Sequence, residues 1–209
     1  MKNKNIVYFG TPQFSAVFLE KLINDGFFIS AVVTAPDKKV GRKQELRSSP
    51  VKTIAEKHNI DVIQPHKIRD NADFLEQFKE IKPDLAIVVA YGKILPQKVL
   101  DIPKLGFINV HPSKLPDYRG PSPMQWSLLN GDVESAITIM QLDVGMDTGD
   151  ILFQKDFAIN PEWNYKDLET FCAKEGSQFL SEKLPEILSE NITPKKQNDQ
   201  EATYSKMIS

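Results

Sequence analysis

The chain has 209 residues, of which 41% are hydrophobic and 26% are charged, and its formal net charge is −2. This composition is that of an ordinary globular protein, and the charge argues against a surface that binds nucleic acid without selectivity. The single cysteine, Cys172, rules out an internal disulfide. The N-terminus shows no signal-peptide pattern, and no apolar stretch approaches the roughly 20 residues of a membrane span. We expect a cytoplasmic monomer with no membrane partner.

Strand-like and helix-like segments alternate through the first half of the chain. Apolar runs predict strands at 5–10, 28–35, 61–65 and 84–90, and helical spacing predicts helices at 14–23, from Pro50 onward, at 71–81 and near 96–101. The run at 84–90 is continuously apolar, which indicates a strand buried on both faces. A polar, basic loop is predicted from residue 36 to about residue 48.

The second half continues the pattern with a strand at 106–111, a proline-rich loop and a helix at 123–130. Strands follow at 135–142 and 149–159, and a long helix capped near Asn164 is predicted at about 165–188. The alternation predicts an open α/β sheet, mostly parallel and Rossmann-like, with helices on both faces and an antiparallel edge near the C-terminal end. In such sheets ligands bind outside the carboxyl ends of the strands.

Asn109 and His111 stand two positions apart at the end of a predicted strand, in "FINVHPSKLPDYRGPSP" (107–123). Alternate residues of a strand share a face, so the amide and the imidazole point the same way. Together they suit a reaction in which a carbonyl oxygen gains charge while a proton moves. Taken alone, the pair is equally compatible with a capped strand in which both side chains are structural.

Two further segments carry chemical features. In "DVGMDTGDI" (143–151), Asp147 lies between two glycines that allow a close approach of the backbone to a ligand, although an acidic hairpin turn has the same composition. The segment 37–47 holds five cationic residues against Asp37 and Glu45. It reads either as a solvated loop or as a phosphate-contacting one. His58 and His66 lack ligand spacing, and we expect no metal.

These segments, in order, resemble the folate-dependent formyltransferases, and among them the tRNA-directed branch. The resemblance rests on "FGTPQFS", "PD…GR…SPVK", "PDLAIVVAYGKILP", "LGFINVHPSKLPDYRGPSP" and "TIMQLDVGMDTGDIL", which together span nearly the whole chain. It implies transfer of a formyl group from the co-substrate 10-formyltetrahydrofolate to the α-amine of methionyl initiator tRNA. The amine attacks directly, through a tetrahedral intermediate.

The resemblance also implies roles for particular residues. The catalytic set is Asn109, His111 and Asp147. The folate-binding set is Ser113, Lys114, Leu115 and Pro116, with Val89, Ala90, Tyr91 and Gly92, and the tRNA-binding set is Lys38, Arg42 and Lys43. The segment 113–116 matches an "SLLP" motif, from which this chain departs at Lys114.

The domain organisation implied is a catalytic domain over 1–189 and a tail or linker over 190–209, leading toward a C-terminal barrel domain that is absent from this chain. Two alternatives remain open. One is a formyltransferase acting on another amine, either an amino-sugar nucleotide or glycinamide ribonucleotide. The other is a folate-binding or deformylating module without a tRNA acceptor.

Overall fold

The structure is a computed structural model, and it describes residues 4–41 and 44–208. The strands are β1 Ile6–Gly10, β2 Ile29–Val33, β3 Lys38–Val40, β4 Glu45–Arg47, β5 Asp61–Ile63, β6 Leu85–Val89, β7 Phe107–His111, β8 Glu134–Gln141 and β9 Ile151–Ala158. The helices are α1 Gln13–Asn24, α2 Pro50–Lys57, α3 Ala72–Ile81, α4 Gln97–Leu100, α5 Pro123–Asn130 and α6 Tyr165–Leu188. Among the described residues, the main sheet has seven strands in the order β5-β2-β1-β6-β7-β8-β9.

The chain divides into two compact units, residues 1–107 and residues 108–209. In the first unit β5, β2, β1 and β6 pair in parallel. Every residue of β1 and β6 is buried, as the continuous apolar run of β6 predicts. Phe9 of β1 anchors this core, packing edge-on against Phe78, Tyr91 and Phe107 at ring-centroid distances of 5.3–5.5 Å.

Side-chain caps explain where several helices begin. The Ser49 hydroxyl accepts a hydrogen bond from Lys52 N at the start of α2, and the Asn71 amide does the same for α3. Asn164 and Asp167 form a reciprocal capping box at the start of α6, so the predicted cap is confirmed. These local signals place the helix starts close to their predicted positions.

In the second unit β7, β8 and β9 pair in antiparallel fashion, which confirms the predicted antiparallel edge. The segment after α6 is hydrogen-bonded to the rest of this unit. Its backbone forms isolated bridges from Lys195 to Ile151 and from Tyr204 to Arg119. None of the helices within the described ranges is long and apolar enough to span a bilayer.

One local prediction is wrong. The basic segment at 36–48 is not wholly loop, because β3 and β4 form a two-stranded antiparallel hairpin in which Lys38 pairs with Arg47. Gly41, with φ of +71°, begins the connection at a left-handed conformation that favours glycine. Both strands are only three residues long and rich in charged residues, so no apolar alternation predicts them.

Candidate active site

The end of β7 presents Asn109 and His111 on one face. Asn109 pairs with Met140 of β8, and His111 pairs with Thr138. His111 is 4% exposed, so its imidazole is almost fully removed from water. Burial of a polar ring requires hydrogen-bond partners, and these come from the loops that follow.

The loop 143–149 between β8 and β9 is held together by Asp143. Its carboxylate accepts hydrogen bonds from the Thr148 hydroxyl at 2.7 and 2.9 Å and from Gly145 N at 3.0 Å. A Cβ atom on Gly145 would lie 1.9 Å from Thr148 Oγ1, so this position requires glycine. The loop is therefore compact despite its exposure.

Asp147 is the strained residue of that loop. Its φ of 53° lies in the left-handed region, which is unfavourable for most non-glycine residues, although aspartate tolerates it better than most. Beyond it, a Cβ atom on Gly149 would lie 2.0 Å from the carbonyl oxygen of Gln141. Gly145 and Gly149 therefore permit close packing of the loop, and Asp147 itself takes the left-handed angle.

The Asp147 carboxylate meets both side chains of β7. Its Oδ1 lies 3.4 Å from Asn109 Nδ2, and its Oδ2 lies 3.7 Å from His111 Nδ1. A stronger bond fixes the carboxylate, because Gly120 N donates to Oδ2 at 2.8 Å. The three residues that the sequence singled out are thus brought together within the second unit.

The second nitrogen of the imidazole is also engaged. His111 Nε2 lies 3.0 Å from the carbonyl oxygen of Tyr118. Because a carbonyl oxygen can only accept, Nε2 carries the proton of this bond. Nδ1 is therefore the ring nitrogen that can hold or release a proton beside Asp147.

The segment 113–116 is fixed mainly through its backbone. The carbonyl oxygen of Ser113 accepts from Thr138 Oγ1 at 2.7 Å, and that of Leu115 accepts from Gln154 Nε2 at 3.1 Å. The Leu115 side chain is buried against Met140 and Ile151. Ser113 and Leu115 are therefore anchored to β8 and β9.

Lys114, the departure from the family motif, points to two acidic residues. Its ammonium lies 3.1 Å from Glu134 Oε1 and 3.2 Å from Asp156 Oδ2. The hydrogen bond to Glu134, followed by that to Asp156, raises the pKa of Lys114. The Lys114 ammonium is therefore charged and bound to one carboxylate of β8 and one of β9.

The segment 89–92 at the end of β6, in the first unit, alternates between buried and exposed residues. Val89 and Tyr91 are buried, whereas Ala90 and Gly92 are exposed and have φ values of 48° and 77°. The buried Tyr91 hydroxyl has no hydrogen-bond partner among the described residues. Burial raises the pKa of Tyr91.

The basic hairpin also belongs to the first unit. Lys38 is exposed on β3, whereas Arg42 and Lys43 lie outside the described residues. The neighbouring Asp37 carboxylate is bound by Lys52 Nζ at 2.7 Å and by Gln64 Nε2 at 2.8 Å, which lowers its pKa. Burial, and then the charge of Lys38, lowers the pKa of Lys93. The hairpin therefore carries a local positive potential that Asp37, already paired, does little to offset.

Sequence reasoning missed the backbone contributions of Tyr118 and Gly120, and the side chain of Gln197. Gln197 Nε2 donates to the carbonyl oxygens of Asp147 and Gly149. No residue-type signal marks backbone groups, and Gln197 is 50 residues from Asp147 along the chain. Within the described part of the chain, no group of three or more His, Cys, Asp or Glu side chains is arranged to hold a metal ion.

The protein is of the α/β class, and hydrogen-bond donors and a carboxylate converge at the end of β7. The sequence gives the family: residues 4–184 match the formyl transferase family, and the chain belongs to it.

Two curated relatives carry a more specific name. The methionyl-tRNA formyltransferase of Caldicellulosiruptor saccharolyticus is 47% identical over 98% of this chain and 65% of that relative. The methionyl-tRNA formyltransferase of Caldanaerobacter subterraneus subsp. tengcongensis is 42% identical over 97% of this chain and 66% of that relative. The chain therefore spans just under two thirds of the length of these relatives.

A solved structure supports the fold. The N-formyltransferase from Helicobacter canadensis, in complex with folinic acid and dTDP-3-aminofucose, aligns with a TM-score of 0.73 at 24% identity. The alignment covers 97% of this chain and 70% of that one. The predicted α/β class is confirmed.

Proposed function

We propose that this chain transfers the formyl group of 10-formyltetrahydrofolate to the α-amine of methionine on initiator tRNA. The observation that carries the proposal is the convergence of Asn109, His111 and Asp147 in a member of the formyl transferase family. The names of the two relatives support methionyl-tRNA as the acceptor.

In the proposed reaction the acceptor nitrogen forms a bond to the formyl carbon, and the formyl oxygen takes on negative charge. The bond from that carbon to the donor nitrogen then breaks, and one proton moves from the acceptor nitrogen to the donor nitrogen. Two groups can donate a hydrogen bond to that oxygen and stabilise it: Asn109 Nδ2, and His111 Nδ1 when it carries a proton. One such donor contributes on the order of 10²–10³ in rate.

Asp147 would have two roles. Its carboxylate orients the amide and the imidazole, and it accepts the proton that the attacking amine must lose. The 3.4 Å contact to Asn109 is long for a hydrogen bond, so the amide can turn to a substrate oxygen at little cost. A positioned base of this kind contributes roughly 10²–10⁴ in rate.

For the folate, we propose contacts from the backbone of 113–116 and from 89–92. The hydrogen bonds that anchor Ser113 and Leu115 support a folate-binding surface that is already formed before the folate binds. Because the Lys114 ammonium is bound by Glu134 and Asp156, we propose that Lys114 contributes through its backbone rather than its side chain.

For the tRNA, we propose that the basic hairpin contacts phosphates through Lys38, Arg42 and Lys43. The exposure of Lys38 and the pairing of Asp37 with Lys52 support this role. A small acceptor needs no such feature. We further propose that the chain works as a monomer in the cytoplasm, and light scattering after size-exclusion chromatography would check the first point.

The test is a formyl-transfer assay with 10-formyltetrahydrofolate and three acceptors in parallel: methionyl initiator tRNA, a dTDP-amino sugar and glycinamide ribonucleotide. The longer Caldicellulosiruptor relative is the positive control, and the His111→Ala variant is the negative control. We expect transfer to methionyl-tRNA with a kcat/KM at least 10²-fold above that for either small acceptor. Preferential formylation of the amino sugar or of the ribonucleotide would replace the proposed acceptor. Donor hydrolysis without transfer would support the deformylating alternative.

A further inference from the structure

Two residues beside the site share an unusual backbone conformation. Asp147 and Tyr118 have φ values of 53° and 57°, both in the left-handed region. Asp147 carries the carboxylate, and the carbonyl oxygen of Tyr118 accepts a hydrogen bond from His111 Nε2. Left-handed backbone is less favourable than extended or helical backbone for a non-glycine residue, although aspartate tolerates it better than most, so the contacts that hold both residues there matter.

The C-terminal segment 195–205 supplies contacts to both residues. Gln197 Nε2 donates to the carbonyl oxygen of Asp147 at 2.9 Å and to that of Gly149 at 2.7 Å. Thr203 Oγ1 accepts from Tyr118 N at 2.8 Å. One segment therefore holds the backbone of each strained residue.

Arg119 contacts both Gln197 and Thr203. It is 1% exposed, and its Nε donates to Gln197 Oε1 at 3.0 Å while its Nη2 lies 2.8 Å from Asp199 Oδ1. Its backbone pairs with the same segment, since Arg119 N donates to the oxygen of Thr203 and Ser205 N donates to the oxygen of Arg119. The amide of Gln197 is thereby used fully, with both hydrogens on the loop 147–149 and its oxygen on Arg119.

We propose that Gln197 is a positioning residue for formyl transfer, acting through the backbone of Asp147, and that the segment 195–205 sets the geometry of the catalytic carboxylate. The reaction itself rests on the proposed function. Gln197 touches no reacting atom. Without its two donors, the loop 147–149 loses the contacts that hold Asp147 in its left-handed conformation, and the carboxylate moves away from Asn109 and His111. A displacement of about 1 Å in a reacting group can cost on the order of 10²-fold in rate.

The most selective variant is Gln197→Glu. It keeps an oxygen to accept from Arg119, so the segment stays anchored, but it removes both donors to the loop. Gln200→Glu is the matched control, because Gln200 is exposed on the same segment and undergoes the same change in charge. Gln197→Met removes the hydrogen bonds without adding charge, so it separates their loss from electrostatic repulsion.

Two measurements then distinguish positioning from a merely structural role. The first is the split between kcat and KM for formyl transfer. We expect kcat to fall by about 10- to 10²-fold in both Gln197 variants, with the KM for the donor within about threefold of wild type. The second is hydrogen exchange at the Gly120 amide, which donates to Asp147 Oδ2 and so reports directly on the carboxylate. We expect faster exchange in both variants, approaching that of Asp147→Ala, and no change in Gln200→Glu.

Unchanged kcat in both Gln197 variants would overturn the inference. So would a fall in kcat with normal Gly120 exchange, since the carboxylate would then not have moved. If the wild-type chain formylates none of the acceptors, the proposed function fails. The exchange comparison, made without substrate, still decides whether Gln197 holds Asp147.

Discussion

Replacing Asp147 by asparagine removes one negative charge and leaves the shape of the side chain almost unchanged. The carboxylate accepts from Gly120 N at 2.8 Å and lies 3.7 Å from His111 Nδ1. An asparagine oxygen can still accept from Gly120, so the loop keeps that hydrogen bond. We therefore expect the free energy of unfolding to change by no more than about 1 kcal/mol.

The expected effect on the reaction is much larger. In the proposed reaction the Asp147 carboxylate accepts the proton that the attacking amine loses, and the amide of an asparagine cannot do so. A positioned base contributes roughly 10²–10⁴ in rate, so we expect turnover of Asp147→Asn to fall by about 10³-fold. That fall corresponds to about 4 kcal/mol in the free energy of the transition state.

A single-turnover assay with saturating donor isolates the transfer step from product release. Asp150→Asn, three residues further along, is the matched control, because Asp150 is outside the proposed machinery. Thermal unfolding of all three proteins separates a loss of activity from a loss of folded protein. Transfer within tenfold of wild type by a normally folded Asp147→Asn chain would refute the reasoning about the trio.

The remaining predictions concern the hairpin, the thiol and acid stability. Lys38→Glu should raise the KM for methionyl-tRNA while leaving that for the folate unchanged, and it should reduce the slope of log affinity against log salt by about one. Equal slopes in variant and wild type would remove Lys38 from the interface. Burial raises the pKa of the Cys172 thiol to about 12, so Ellman's reagent should react with it only as the chain unfolds. Rapid labelling of the native chain would contradict this. The hydrogen bond from Asn5 N, and then Lys104, lowers the pKa of the Asp84 carboxyl, so its contribution to stability is present above about pH 4 and is lost as the pH falls through the lower folded value. Urea unfolding from about pH 6 down to about pH 3 should therefore show a smaller loss of stability for Asp84→Asn than for wild type. Parallel curves would show that Asp84 has no such role.

The elements of the main sheet were predictable because their signals are local. The strand β6 is marked by its own continuous apolar run. The helices around the sheet are marked equally locally, by the spacing of α1 and by the caps at Ser49 and Asn164. The β3–β4 hairpin was missed for the complementary reason. Strands of three residues with exposed charged side chains carry no apolar alternation, and their pairing is visible only when both strands are in place.

The candidate site divides in the same way between side chains and backbone. The period of two along a strand predicts that Asn109 and His111 share a face, and the resemblance to the formyltransferases implies the set with Asp147. The sequence does not predict the left-handed backbone of Tyr118 and Asp147, because neither residue is a glycine. That conformation depends on Gln197 and Thr203, which lie 50 and 85 residues away along the chain. Truncation before residue 195 should therefore lower kcat even if α6 remains folded, because the segment that holds both strained residues would be gone.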